Sequence, residues 1–275
     1  MLSLHNVSSL RNVVVANNAG YYAGGISMTN APLEMEHVSV LNNVGRQTGG
    51  IHLTVMDDRP VLLSGITLFG NETIDPTSAT GGLHVYSQTP VTVTVTGSNI
   101  ASNGLGIFNA SSTTTIDAAG NWWGAPSGPF NARYNPGGAG DTTNAFVSVL
   151  PFLTAPDPDA PPIPVSNLRV VARTREAMTL AWDPSPLPDL AGNRLYWTAD
   201  STDFETYQHG TGLHEAPTYT ITGLQRDATY HVAGRTVDTD GNASWYSERL
   251  RVDLRAAEIT PSPATLDFGN VPLGE

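Results

Sequence analysis

The stretch Val40-Leu41-Asn42-Asn43-Val44-Gly45-Arg46-Gln47-Thr48-Gly49-Gly50-Ile51 decides the fold, because its outline returns through the first half of the chain. A branched apolar residue, two spacers and an asparagine precede a glycine turn and a further apolar residue. The other copies are Val15-x-x-Asn18 with Gly24-Gly25-Ile26, Leu68-x-x-Asn71 with Gly81-Gly82-Leu83, and Ile100-x-x-Asn103 with Gly106-Ile107. Successive asparagines lie 25, 28 and 32 residues apart. A repeat of this period signals a solenoid or array.

Upstream of each asparagine, offsets −3, −5, −8 and −10 are almost all apolar: Val40, Val38, Met35 and Leu33 in one unit, Leu68, Ile66, Leu63 and Val61 in the next. Spacings of two are the period of a strand, and the jump of three marks a bend. A third strand follows the glycines, with Ile26, Ile51, Leu83 and Ile107 facing inward. The pattern predicts three short strands per coil and parallel stacking of coils about 4.8 Å apart. Such stacking would set the asparagines in a hydrogen-bonded ladder. An antiparallel sandwich would not require one residue at one offset in every unit.

These repeats resemble the right-handed parallel β-helix proteins of bacterial surfaces, with asparagine-to-Gly-Gly spacing similar to polymorphic outer-membrane protein repeats. The run Asp117-x-x-x-Asn121-Trp122-Trp123-Gly124-x-Pro126-Ser127-Gly128-Pro129, with Asn135-Pro136-Gly137-Gly138 and Val149-Leu150-Pro151-Phe152-Leu153, resembles the segment that closes such β-helices. A solenoid needs an atypical last unit to cover its open coil. The tryptophans supply apolar area for that cap, and the Gly/Pro turns are expected to admit no further strand. The alternative is that the Trp122/Trp123 pair stacks on a sugar.

Twenty-seven glycines, 20 prolines and no cysteine in 275 residues point to an all-β protein without disulfides or thiolate sites. A net charge of −12 disfavours nucleic acid or an anionic membrane as partner. No apolar run approaches the length of a membrane span, and the first residues lack the features of a signal peptide. Residue 1 falls inside what reads as an uncapped coil, so further coils are expected before it.

Residues 154–165 hold five prolines and no glycine, the composition of an extended, semi-rigid spacer. Alternating runs then follow at 168–172, 178–182, 194–198, 218–222, 230–237 and 247–254, separated by turns, as in a sandwich of about seven strands. Trp182, Leu195-Tyr196-Trp197, and Gly223-Leu224 followed by Tyr230 give this stretch its resemblance to fibronectin type III domains. The resemblance implies a buried Trp182 and a tyrosine corner at Tyr230. No Arg-Gly-Asp triplet is present. The segment Ile259-x-Pro261-x-Pro263-x-x-Leu266-Asp267-Phe268-Gly269 resembles the opening of an ASPM–SPD-2–Hydin-like immunoglobulin-type module.

Chemistry is sparse. Asp57-Asp58 is the only adjacent acidic pair, and a glycosidase needs paired carboxylates across the bond; with Arg59-Pro60 after it, the segment reads first as a turn. The motifs that polygalacturonase resemblance would bring are missing. Asp238-x-Asp240-x-Asn242 imitates a calcium loop but has Ala243 and Arg249 where glycine and glutamate are needed. The sequons at Asn6, Asn71, Asn109 and Asn242 are short enough to arise by chance.

Stacking the coils brings out one constellation. The residues after the inward apolar position point outward: Ser27, His52, His84 and Phe108. Two further on stand Thr29, Thr54, Tyr86 and Ala110. His52, His84, Tyr86 and Phe108 should therefore share one external face, walled by the long loop 72–80. They are the candidate ligand-binding residues, set against the plainer reading that they only help coils to register. Two histidines without a carboxylate make a poor metal site.

The sequence thus predicts an all-β chain, a right-handed parallel β-helix plus a fibronectin type III β-sandwich. Residues 1–153 are the helix coils and cap, 154–165 the linker, 166–255 the fibronectin type III-like domain and 256–275 the start of a truncated β module. The expected function is non-catalytic: surface display, adhesion or glycan binding by an exported modular protein at the cell surface or outside the cell. No catalytic residue, metal or cofactor is expected. The expected partner is a polysaccharide or cell-surface glycan, with no nucleic acid, no membrane insertion of this stretch, and a monomeric state. The alternative is a piece of a polysaccharide lyase or glycoside hydrolase whose catalytic coils lie upstream.

Overall fold

The computed structural model describes residues 1–5, 9–29, 34–75, 80–111, 113–202 and 206–255. The segment 256–275, residues 76–79 of the loop 72–80, and the core position Leu33 lie outside them. Among the described residues every regular element is a strand.

The first half is built of parallel strands stacked coil upon coil. Ile51–Val55 lies between Ile26–Thr29 and Leu83–Ser87, and Leu2–His5 and Leu105–Asn109 extend the same sheet. A second sheet stacks Ser9–Arg11, Glu34–Glu36, Val61–Ser64, Thr92–Thr96 and Thr115–Asp117. A third stacks Val14–Ala16, Ser39–Leu41, Thr67–Phe69 and Asn99–Ala101. The register pairs each residue with its counterpart: Ile26 with Ile51, Ile51 with Leu83, Leu83 with Ile107, and Val40 with Leu68. All of these side chains are fully buried, so apolar columns form a continuous core.

Three of the coils also have a fourth strand that the three-strand expectation missed. Ala19–Gly20, Val44–Gly45 and Glu72–Thr73 form their own parallel sheet just after the asparagine corner. Two residues are too few to show a period. The adjacent glycine pairs are sterically required. A Cβ on Gly50 would sit 2.6 Å from the Gly82 carbonyl oxygen of the next coil, well inside van der Waals contact.

The asparagines form the ladder that the repeat implies. Asn18 Nδ2 donates to Asn43 Oδ1 (3.1 Å), Asn43 to Asn71 (3.0 Å) and Asn71 to Asn103 (2.9 Å). The second N–H of Asn43, Asn71 and Asn103 goes to the Val15, Val40 and Leu68 carbonyl respectively. Each acceptor oxygen also takes a backbone N–H from the coil before. The chain of amides ends on a carboxylate, as Asn103 Nδ2 donates to Asp141 Oδ2 at 2.8 Å. Burial holds the Asp141 pKa above the ordinary carboxylate range, against the lowering effect of the Asn103 hydrogen bonds.

At the cap, the adjacent tryptophans divide between two cores. Trp123 is fully buried with Ile100, Ile107 and Val149 inside the stack, whereas Trp122, 5% exposed, packs outward on Ala101, Ile163 and Leu187. Neither ring is left open for sugar stacking. The expectation that no strand follows the pair is corrected: Pro129–Asn131, Gly140–Thr143 and Val147–Ser148 add to the first two sheets. Gly140 allows this, since a Cβ there would lie 2.1 Å from the Trp123 carbonyl oxygen.

The second half is a β-sandwich. Arg169–Arg173, Met178–Ala181 and Thr218–Ile221 make a three-stranded antiparallel sheet. His209–Gly210, Leu190–Thr198, Thr229–Asp238 and Leu250–Asp253 make the four-stranded one. Trp182, Leu180, Leu195, Tyr230 and Val232 fill the space between them. The Tyr230 hydroxyl accepts the Gln225 N–H at 2.8 Å, which fixes the corner. The proline-rich segment is docked as well as extended. Asp157 N–H donates to Asn99 Oδ1 (2.8 Å), Asn99 Nδ2 returns a bond to the Asp157 carbonyl (3.1 Å), and Thr67 and Thr236 hydroxyls donate to the Pro161 and Ile163 carbonyls.

Candidate functional site

Parallel register turns the outward positions of the first sheet into a column. His52 pairs with His84 and His84 with Phe108. The imidazoles stack at 4.8 Å between centroids with 14° between planes, and the Phe108 ring follows at 5.4 Å. In the coil before His52 the register partner is Ser27. Its small side chain leaves the imidazole uncovered on that side, and Tyr22 fills the position edge-on at 4.5 Å. Four coils thus contribute four successive rings.

The column is anchored from beneath. Thr48 Oγ1 lies 3.2 Å from His52 Nδ1, and Thr80 Oγ1 lies 3.3 Å from His84 Nδ1. The same five-residue pattern, Thr-Gly-Gly-aliphatic-His, occupies 48–52 and 80–84. With Nδ1 engaged by threonine, Nε2 is the ring nitrogen left to serve the outer surface. Burial, and then the neighbouring His84, push the His52 pKa down to about 4, and burial pushes His84 down too. Both imidazoles are therefore neutral at pH 7, each with one N–H donor and one acceptor nitrogen.

The four residues expected on this face are not equivalent. Phe108 and His84 are half-buried and Tyr86 is 39% exposed, but His52 is only 4% exposed beneath its neighbours. Tyr86 stands beside the column, in register with Thr54, with Gln88 Nε2 donating to its hydroxyl at 3.3 Å. His52 is thus a buried support, with Tyr86, His84 and Phe108 as the accessible surface. Tyr22, 43% exposed, was missed in sequence because it sits at no repeated offset. The two threonines were also missed, although the five-residue pattern they share in the sequence would have pointed to them.

The other candidates resolve into turns. Asp57 accepts the Arg59 backbone N–H at 3.1 Å and its guanidinium at 2.5 and 3.0 Å, and Arg59 lowers the Asp57 pKa. Asp238 accepts the Asn242 backbone and side-chain N–H groups at 2.7 and 2.9 Å. Among the described residues no three His, Asp or Glu side chains are grouped as metal ligands.

No family model matches the chain. Chitinase A1 of Niallia circulans is similar, 30% identical over 205 residues that make up 73% of this chain and 25% of that protein. The chain therefore spans about a quarter of the length of this relative. Solved structures similar to part of the chain include the third fibronectin III domain of human KIAA0343 protein (18% identity, TM-score 0.29, 37% of this chain and 89% of that one). A Fn3-like protein from Clostridium thermocellum is another (17% identity, TM-score 0.30, 36% of this chain and all of that one).

Proposed function

We propose that this chain is a non-catalytic, exported module that binds neutral glycan through the ring column on its coil stack. The stack is a right-handed parallel β-helix in this reading, followed by a fibronectin type III domain, and the protein works outside the cell or at its surface. The observation that carries the reading is the run Tyr22–His52–His84–Phe108, one ring per coil, flanked by exposed Tyr86. Apolar ring faces suit the C–H faces of sugars, and the neutral His84 imidazole supplies a hydrogen bond without the cost of burying charge. Strand spacing repeats the contacts along a polymer, and a rigid stack loses little entropy on binding. Similarity to part of a chitinase, an enzyme of a polysaccharide, supports the same ligand class.

The test is a panel of soluble and insoluble polysaccharides, chitin included, against the full chain and a Tyr86→Ala/Phe108→Ala variant. Both side chains are partly exposed, so the variant should fold. We expect wild type to bind at least one neutral polymer and the variant to bind about tenfold more weakly. Equal binding by both, or no binding by either, overturns the proposal.

A further inference from the structure

We propose that the outer face of the four-stranded sheet of the sandwich is a second binding surface, for anionic polysaccharide. It is independent of the ring column, since it lies on the other unit and uses different residues.

Strand alternation sets this face. Leu195 is fully buried and Trp197 packs on the sandwich core, so Arg194 and Tyr196 point the other way. Antiparallel register places Arg194 directly opposite Arg235, and Tyr196 opposite Ala233. The two arginines put like charge on one face of the sheet, with the Arg235 guanidinium turned toward the Ala243 and Ser244 carbonyls, and a face of that charge favours an anion. Eight of the other arginines, Arg11, Arg46, Arg59, Arg169, Arg175, Arg226, Arg251 and Arg255, each lie within 4.0 Å of a carboxylate. Among the described residues Arg194 and Arg235 have no such partner, in a protein with 25 acidic residues and a net charge of −12.

The arginines adjoin an aromatic cluster. Arg235 Cζ lies 5.1 Å from the Tyr246 ring centroid, and its Nε donates to the Ser244 carbonyl at 2.5 Å, so the guanidinium is held in place before any ligand arrives. Tyr246 meets Tyr207 at 4.9 Å and Tyr196 at 5.3 Å. All three tyrosines are half-buried. Charge-assisted hydrogen bonds from the Arg194 and Arg235 guanidiniums suit carboxylate or sulfate, and the tyrosine surface suits the sugar rings that carry those groups. Nucleic acid fits less well, because the rings cross at 89° and 50°, which offers no parallel platform for successive bases.

The experiment is affinity electrophoresis of the full chain in gels containing polygalacturonate, dextran sulfate, neutral dextran or oligothymidylate. We expect retardation by one or both anionic polysaccharides, lost on raising the salt, with the carboxylated and sulfated gels separating the two anion sources. Arg194→Glu, at an exposed and unpartnered position, should weaken it about tenfold. Tyr207→Ala should weaken it without altering charge. Arg133→Glu, which changes net charge equally but lies in the coil-stack cap, should have no effect, as should Tyr86→Ala/Phe108→Ala. Failure of both anionic gels to retard the wild type overturns the proposal. So does equal loss in Arg133→Glu, or preference for oligothymidylate.

Discussion

In the coil stack a residue's neighbour across the sheet is its own counterpart in the next coil: Asn43 meets Asn71, Ile51 meets Leu83 and His52 meets His84. In the sandwich the neighbours are unrelated in sequence, as Leu180 meets Tyr219 and Tyr196 meets Ala233. The difference sets how each region is stabilised. A residue type that suits one coil is selected again by the next, so polar residues chain together as readily as apolar ones. The sandwich instead buries single large anchors, Trp182 and Tyr230, whose partners differ at every contact. Damage should therefore spread along the stack and stay local in the sandwich.

The largest effect is expected at Asn71. Its side chain is fully buried, accepts from Asn43 backbone and amide, and donates to Val40 and Asn103. Asn71→Leu strands all four groups, at about 1–3 kcal/mol for each one left unpaired, so a loss of about 5 kcal/mol or complete failure to fold is expected. A loss under about 2 kcal/mol in urea unfolding would mean that the ladder is incidental. Trp182→Ala, by contrast, removes one buried ring, 2% exposed, and should cost about 3–5 kcal/mol. Hydrogen exchange should show that loss confined to the sandwich. A stack that loosens equally would break the comparison.

The same difference explains what the sequence revealed. Repeated offsets name inward apolar residues, the ladder asparagines and the outward histidines, because copies in a stack are forced into contact. Departures from the repeat were hidden. Asp141 closes the ladder as an aspartate in an irregular coil, and Tyr22 reaches the ring column from outside any repeated position. The fourth strand found in three of the coils is too short to carry a pattern. In the sandwich, Trp182 and Tyr230 were legible through a resemblance, but the opposed Arg194 and Arg235 were not. They belong to no motif, and only antiparallel register brings them together.

The ring column gives the stack a pH response opposite in sign to that of Asp141, whose raised pKa at the end of the asparagine ladder favours the fold as pH falls. His52 titrates near 6.5 when unfolded and near 4 when folded, so the unfolded chain binds the proton first. Its stabilising contribution is complete above about pH 6.5 and falls as pH drops toward 4, by up to about 3 kcal/mol. His84 acts in the same direction. His52→Phe keeps a ring in the column and should flatten the decline, measured as urea midpoints between pH 7 and 4. An unchanged slope would place the acid sensitivity elsewhere.

The smallest effect tests whether the two regions behave as one body. Asn99 is fully buried in the stack, yet its amide holds the linker through reciprocal bonds with Asp157. The linker in turn carries Ile163 into a cluster with Trp122 of the cap and Leu187 at the sandwich. Asn99→Ala removes two hydrogen bonds, each worth about 1 kcal/mol net, and leaves the apolar cluster in place. Stability should fall by about 1–2 kcal/mol, and a single calorimetric transition should separate into two as the coupling weakens. If wild type already melts in two steps, the linker contacts do not couple the regions, and the repeating stack and the anchored sandwich fold as independent solutions to burying a β-sheet.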